Sequence, residues 1–256
     1  MSDVEVAVHA AALAAGVAAS HLRESLEIEY KGAYSDPVTD ADREAEQAVR
    51  DFLAQERPAD GVIGEELVDK PGKRQWLVDP IDGTVNYLRG NAYWCSAVAL
   101  VDAGRAVASA VHATDGPTSS TAEHHRGAWR NGNPLDLDTA GRLDEAVLAT
   151  YIHSSDLACD TYRRLLSTAA TCRVKGSGTL DLVGLASGEV DAWVQRDVSP
   201  WDWVPGALVV TEAGGAAVQL VTACGEWAVA GSATVVDDMT TQLRAVTCEY
   251  HSQDLA

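Results

Sequence analysis

Apolar residues recur at helical spacing near the N-terminus. Val4, Val8, Ala11 or Ala12, Ala15, Ala19 and Leu22 predict one long helix over residues 4–28. A second helix is expected over 40–55, with Thr39 as its cap, Asp40 and Asp42 in its first turn, and Val49, Phe52 and Leu53 on one face. The period then changes. Gly61–Gly64 and Trp76–Val78 read as short buried strands, each ending in acids, and alternation sets in from Ala97 to Val111 with a turn at Asp102-Ala-Gly104. More strand is expected near 118–130, followed by the hairpin signal Asn131-Gly132. Beyond about residue 140 strands and helices alternate: strand 146–151, helix 157–169, strand 171–175, helix 179–187, strand 190–195 and helix 201–213, with short strands closing the chain. The pattern predicts an α+β lobe over 1–140 and an α/β lobe over 141–256, with a soft boundary near 138–142.

Composition adds little to this: 256 residues, 46% hydrophobic and 22% charged, suit a globular chain with a sizeable core. Charge adds more. Lys and Arg number 19 against 38 Asp and Glu, a formal −19, and a field of that sign repels a polyphosphate backbone, which disfavours a nucleic-acid polymer as partner. A small phosphorylated substrate remains compatible, because bound cations reverse the sign locally. No apolar run is expected to reach the roughly 20 residues of a membrane span, and Asp3 and Glu5 stand where a secretory signal would be basic. Cys95, Cys159, Cys172, Cys224 and Cys248 are odd in number, far apart and without a CxxC. They read as small core hydrophobes in a reduced cytoplasm, not as a disulfide framework or a zinc site.

The densest chemistry lies in Trp76-Leu-Val-Asp79-Pro80-Ile81-Asp82-Gly83-Thr84. A buried strand ends at Asp79, Pro80 interrupts regular structure, and a tight turn then aims Asp79 and Asp82 at one point. Gly83 and Thr84 open a helix whose first amides suit a phosphate. Carboxylates beside a phosphate repel it unless cations lie between, and hard oxygen ligands favour Mg²⁺ or Mn²⁺. Three further acidic segments accompany it: Gly64-Glu65-Glu66 after a strand, Asp36-Pro-Val-Thr-Asp-Ala-Asp42 before a helix, and Trp201-Asp202-Trp203. Taken singly, these read as a solvated strand end, a capped helix start and a helix N-terminal acid.

Together the segments resemble the inositol monophosphatase family of metal-dependent, lithium-sensitive phosphatases. The matching pieces are Asp36–Asp42, Ile63-Gly-Glu-Glu66, Trp76–Tyr87, the weaker Gly127–Gly132, and Trp201-Asp202 running to Thr211-Glu-Ala-Gly-Gly215, in order across nearly the whole chain. The resemblance implies a layered αβαβα fold, phosphomonoester hydrolysis and a homodimer. It implies that Glu65, Asp79 and the Ile81 carbonyl bind one Mg²⁺, that Asp79, Asp82 and Asp202 bind a second, and that a third, weaker ion uses Glu65. Thr84 paired with Asp42 would orient and deprotonate a water, the Gly83 and Thr84 amides would hold the phosphate, and Lys31 and Glu66 would support the third-ion region. The loop carrying Lys175, Ser177, Gly178 and Thr179, with Gln195, would face the leaving group.

Gln195 replaces a glutamate of the animal enzymes, which loosens the tie to inositol. An inositol-like polyol or sugar phosphate is the leading substrate class. Trp94, Trp129 and Trp193 keep a planar nucleotide or histidinol phosphate open, and Arg173 with Lys175 keeps a bisphosphate open. A non-catalytic scaffold of the same fold is the remaining alternative, and the complete acid set counts against it. None of the seven histidines stands at the family's metal spacing, and His124-His125 reads as an exposed turn without a metal.

Overall fold

In the computed structural model, which describes residues 1–22, 28–30, 37–114, 118–137, 141–153 and 156–245, the first helix is shorter than its pattern predicts. Helix α1 (Asp3–His21) is capped by a Ser2–Glu5 capping box. Ile28 already belongs to strand β1 (Ile28–Tyr30), which pairs antiparallel with β2 (Pro37–Thr39). The buried face of α1 is Val6, Ala7, Ala10, Ala11, Ala14, Ala15 and Ala18, rotated from the stripe expected. A helix apolar nearly all round does not reveal its inner face by periodicity, and here the small side lies against the sheet. By length and composition α1 would also cross a membrane, contrary to expectation, but its alanine face is packed inside the protein.

Helix α2 (Asp40–Glu56) starts at Thr39 as expected and buries Val49 and Leu53. A seven-stranded sheet follows in simple sequential order: β3 (Gly61–Gly64), β4 (Arg74–Asp82), β5 (Cys95–Asp102), β6 (Arg105–Ala113), β7 (Thr118–Glu123), β8 (Gly127–Arg130) and β9 (Asn133–Pro134). Only β3 and β4 pair in parallel. The stretch expected as strand over 118–130 is two strands turning at His124–Arg126. Asn131 and Gly132, both at positive φ, form the expected hairpin turn between β8 and β9. The short helix α3 (Thr84–Leu88) leaves the end of β4.

The second sheet has the order β11 (Thr171–Arg173), β10 (Val147–Thr150), β12 (Ala192–Arg196), β14 (Gly225–Gly231), β13 (Ala216–Thr222). Strand β10 runs parallel to β11 and β12, whereas β14 is antiparallel to both its neighbours, so this half is a mixed sheet. Its helices are α4 (Asp160–Thr168), α5 (Gly178–Ala186), α6 (Pro200–Glu212) and α7 (Ala233–Ala245). The last was expected as strand. Val235, Val236, Met239 and Leu243 recur at helical spacing and are buried, which decides for helix.

Helices α1 and α2 cover one face of the large sheet, α5 and α6 lie between the two sheets, and α4 and α7 cover the outer face of the small one. The layering is therefore αβαβα. One core fills the space between α1, α2 and the large sheet, a second surrounds α5 and α6, and a third lies under α4 and α7. Cys95, Cys159 and Cys172 are free, whereas Cys224 is disulfide-bonded, against the expectation of free thiols throughout. Spacing alone carries no pairing information.

The close approach of α1 to the sheet needs small side chains. Ala10→Leu, at a fully buried position, is expected to lower the unfolding free energy by about 1–3 kcal/mol. Leu13→Ala, at an exposed position, should change it by less than about 0.5 kcal/mol. Urea unfolding of both variants checks the contrast.

Candidate active site

Strand β4 is buried from Trp76 to Ile81 and ends inside the molecule. In a regular strand, residues three apart point to opposite faces. Here the register with β5 breaks: Asp79 faces Ala97 while Asp82 faces Cys95, so two residues of β4 oppose one of β5. This bulge turns Asp82 back toward the side of Asp79. The Pro80 carbonyl inside it accepts from Ser96 Oγ at 2.6 Å, and the Ile81 amide donates to Asp79 Oδ1 at 3.0 Å. Gly83 follows at φ 103°, and a Cβ there would sit 3.0 Å from the Gly176 carbonyl oxygen.

One pocket gathers Glu65, Asp79, Ile81, Asp82, Gly83, Thr84, Gly178, Gln195 and Asp202. Carboxylate oxygens of Glu65, Asp79 and Asp202 lie within 4.8 Å of one another. Asp79 Oδ2 is buried with no hydrogen-bond donor among the described residues. Burial raises the Asp79 pKa well above the usual carboxylate range, and Glu65, Asp202 and Asp82 push it further. Convergent oxygens, one of them orphaned and all repelling, fit a hard divalent cation.

Asp82 lines the same pocket, but its Oδ2 accepts from Ser177 Oγ at 2.7 Å and the Thr179 amide at 2.6 Å. Burial raises its pKa, and those hydrogen bonds oppose the rise. Thr179 Oγ1 also donates to the Asp202 carbonyl at 2.9 Å. Ser177 and Thr179, expected at the substrate, are instead fully buried supports that hold Asp82 and the first turn of α6. Lys175 departs likewise: it lies 3.3 Å from Asp181 and over the Tyr93 ring, and it does not line the pocket. Trp94 and Trp193 are core residues and Trp129 is exposed on β8; none lines the pocket.

Asp42 is buried behind the pocket, where its Oδ2 accepts from the Thr39 amide at 2.8 Å and hydroxyl at 2.6 Å. The Thr84 hydroxyl donates to the Ile81 carbonyl at 3.0 Å, so in this state its proton is not directed at Asp42, as the resemblance implies. Lys31 lies outside the described residues. Gly176, in the loop expected to face the leaving group, lines the pocket, and the lining residues not foreseen in the sequence are Pro37, Val85, Tyr151 and His153. Tyr151 and His153 follow β10 with ring centroids 4.9 Å apart, and only the alternation of strand and helix hinted that this strand end would reach the site.

A model of the inositol monophosphatase family matches residues 2–251. The chain belongs to the inositol monophosphatase family. It is 34% identical over 202 residues, 75% of each chain, to the inositol-1-monophosphatase of Rhizobium meliloti. To the fructose-1,6-bisphosphatase/inositol-1-monophosphatase of Thermotoga maritima it is 31% identical over 188 residues, 73% of each chain. The crystal structure of the extragenic suppressor protein suhB from Bartonella henselae superposes with a TM-score of 0.86 at 27% identity, covering 95% of this chain and 98% of that one.

Within this family frame, two buried acids away from the metal cluster are informative. Glu46, one turn beyond Asp42 on α2, is fully buried. It accepts from Arg50 at 2.7 Å and from the amides of Glu66 at 2.7 Å and Leu67 at 3.3 Å. A Cβ on Gly64 would strike its carboxylate, so the glycine before Glu65 is needed for this approach. Glu46 thereby fixes the loop that presents Glu65. The second acid, Asp181, accepts from the Tyr93 hydroxyl at 2.7 Å. Asn86 Nδ2 donates to the carbonyls of both Tyr93 and Lys175 at 2.8 Å, tying α3 to the Lys175 loop.

Glu46→Gln puts an amide group where only acceptors are served. It should weaken Mg²⁺ binding, measured calorimetrically, by about tenfold or more and lower stability by about 1–3 kcal/mol. Burial raises the Asp181 pKa to about 6, with Tyr93 and Lys175 opposing. Its folded-state pKa exceeds the unfolded one, so folding takes up a proton between about pH 4 and 6, and this contribution to stability is lost as pH rises through about 6. Asp181→Asn lacks that slope. The stability of wild type relative to this variant should therefore rise as pH falls from 7 to 5 in urea titrations.

Proposed function

We propose that this chain hydrolyses a small polyol or sugar phosphate monoester with Mg²⁺ or Mn²⁺ as cofactor. The observation that carries the reading is the trio Glu65, Asp79 and Asp202, within 4.8 Å of one another and with Asp79 Oδ2 lacking a donor. Glu65, Asp79, the Ile81 carbonyl, Asp82 and Asp202 would hold the cations. When bound, these supply Lewis acidity toward the phosphoryl oxygens and lower the pKa of a water.

The protein's own groups do the rest. The Gly83 and Thr84 amides, at the start of α3, would donate to the phosphate and fix it for in-line attack. Thr84 Oγ1 bonds the Ile81 carbonyl now; turned toward Asp42 it would accept the proton of the attacking water and pass its own to that carboxylate. Ser177 and Thr179 aim Asp82 by donating to it and oppose the rise in its pKa that burial causes. The departing alkoxide takes its proton from solvent.

On the leaving-group side, Gln195 lines the pocket with Oε1 buried and without a partner among the described residues. A buried acceptor of this kind selects a hydroxyl-bearing leaving group, because an analogue without a donor leaves it unsatisfied. Lys175 is committed to Asp181, which argues against a second phosphate held by that lysine. This supports a hydroxyl-bearing monophosphate over a bisphosphate.

Phosphate release from inositol 1-phosphate by chelator-treated protein should require added Mg²⁺ and be inhibited by millimolar Li⁺. Asp79→Asn should lose at least about 100-fold in kcat while remaining folded. Turnover without a divalent cation, or undiminished in Asp79→Asn, overturns the proposal. So does a wild type that neither binds Mg²⁺ nor turns over any polyol or sugar phosphate.

A further inference from the structure

The turn between β7 and β8 carries His124 and His125, and it rests against the last residue of α6, Glu212. His125 adopts φ 61°, a left-handed conformation costly for a residue with a Cβ, and the two rings lie with centroids only 3.8 Å apart. One ligand-capable atom from each of His124, His125 and Glu212 lies within 4.8 Å of the other two. His124 Nδ1 stands 3.4 Å from Glu212 Oε1. Two ligand bonds of about 2.1 Å meeting at a tetrahedral angle separate their donor atoms by about 3.4 Å.

Three features mark this corner as prepared for a cation. Glu212 Oε1 and Oε2 accept from the amides of His125 at 2.9 Å and Gly127 at 3.0 Å, which fixes both carboxylate oxygens from the backbone of the turn. Glu212 Oε1 also faces His124 Nδ1 at 3.4 Å, so carboxylate and imidazole already converge on one point. The carboxylate sits at the negative end of the α6 dipole, where an acid is unfavourable unless a positive charge is near. Arg105 does not fill that role. Its Nη1 approaches His124 Nε2 at 3.5 Å, its side chain is exposed, and no ion pair joins it to Glu212 among the described residues. Arg126 pairs with Glu123 at 3.4 Å.

We propose that His124, His125 and Glu212 form a second metal site, separate from the carboxylate pocket, for a borderline divalent ion such as Zn²⁺. Two imidazoles and one carboxylate suit Zn²⁺, Co²⁺ or Ni²⁺ and not Mg²⁺, and the partly exposed rings leave room for water as a further ligand. The ion would staple the β7–β8 turn of the large sheet to the helix whose other end carries Asp202. This site does not depend on the phosphatase reading.

The test is calorimetric titration of chelator-treated protein with Zn²⁺ under millimolar Mg²⁺, which keeps the carboxylate pocket occupied, followed by the absorption spectrum with Co²⁺. Wild type should bind one Zn²⁺ equivalent that is weakened at least about tenfold in His124→Ala and in His125→Ala. At a fixed Zn²⁺ concentration the thermal midpoint should rise more in wild type than in either variant, and Co²⁺ should give a visible band that is weakened in both variants. Glu212 stays in place in these variants, so the amides of the turn keep their acceptor, and metal-free unfolding in urea reports whether each still folds. No Zn²⁺ binding by wild type under Mg²⁺ overturns the site. So does binding of equal affinity in both folded variants, which would assign the ion to other histidines, or a thermal shift that follows pH and not Zn²⁺, which would make the corner a protonated His124–Glu212 pair.

Discussion

Gathering Glu65, Asp79, Asp82 and Asp202 into one pocket is the constraint on which the rest of the structure depends. Like charges at this spacing repel, and burial of Asp79 removes the solvent that would screen them. Among the described residues the fold brings no lysine or arginine to line this pocket. It gives Asp79 and Asp82 neutral donors and leaves Asp79 Oδ2 without one among the described residues. Secondary structure must therefore hold each acid independently, and a cation at the trio would offset their repulsion.

Each acid is held from a different direction. The β4 bulge brings Asp79 and Asp82 to one side, with Ser96 anchoring Pro80. Glu46 holds the loop after β3 through the Glu66 and Leu67 amides. Ser177 and Thr179, at the start of α5, grip Asp82 and the first turn of α6 together. The pocket is thus assembled from both sheets and from the helices between them. Asn86 crosses the same seam by bonding the carbonyls of Tyr93 and Lys175.

The same seam separates two kinds of cation chemistry. On one side stand the clustered carboxylates of Glu65, Asp79 and Asp202, a donor set that would suit a hard ion. At the far end of α6, imidazoles join a carboxylate, suited to a softer ion that meets no substrate. A strongly acidic protein with a formal charge of −19 attracts both kinds, and donor type is what separates them.

Much of this was legible in the chain. The Asp79–Thr84 string, the Glu65 pair and Asp202 marked the pocket, because a buried strand ending in acids has few other uses. Helix α2 and the Asn131-Gly132 turn followed from capping and turn chemistry, which are local. What failed was whatever depends on partners remote in sequence. The inner face of α1 is set by the sheet it meets, since its own periodicity is nearly uniform. Helix α7 was missed although its apolar spacing was present. Ser177, Thr179 and Lys175 carry polar groups that fit a substrate or a neighbour equally well, and only packing assigns them to Asp82, Asp202 and Asp181. The sequence by itself determined which acids would be found lining one pocket, because the Asp79–Thr84 spacing and the family resemblance together single them out. The tertiary structure alone decided which groups hold those acids, because a hydrogen bond between residues nearly a hundred positions apart leaves no periodic trace.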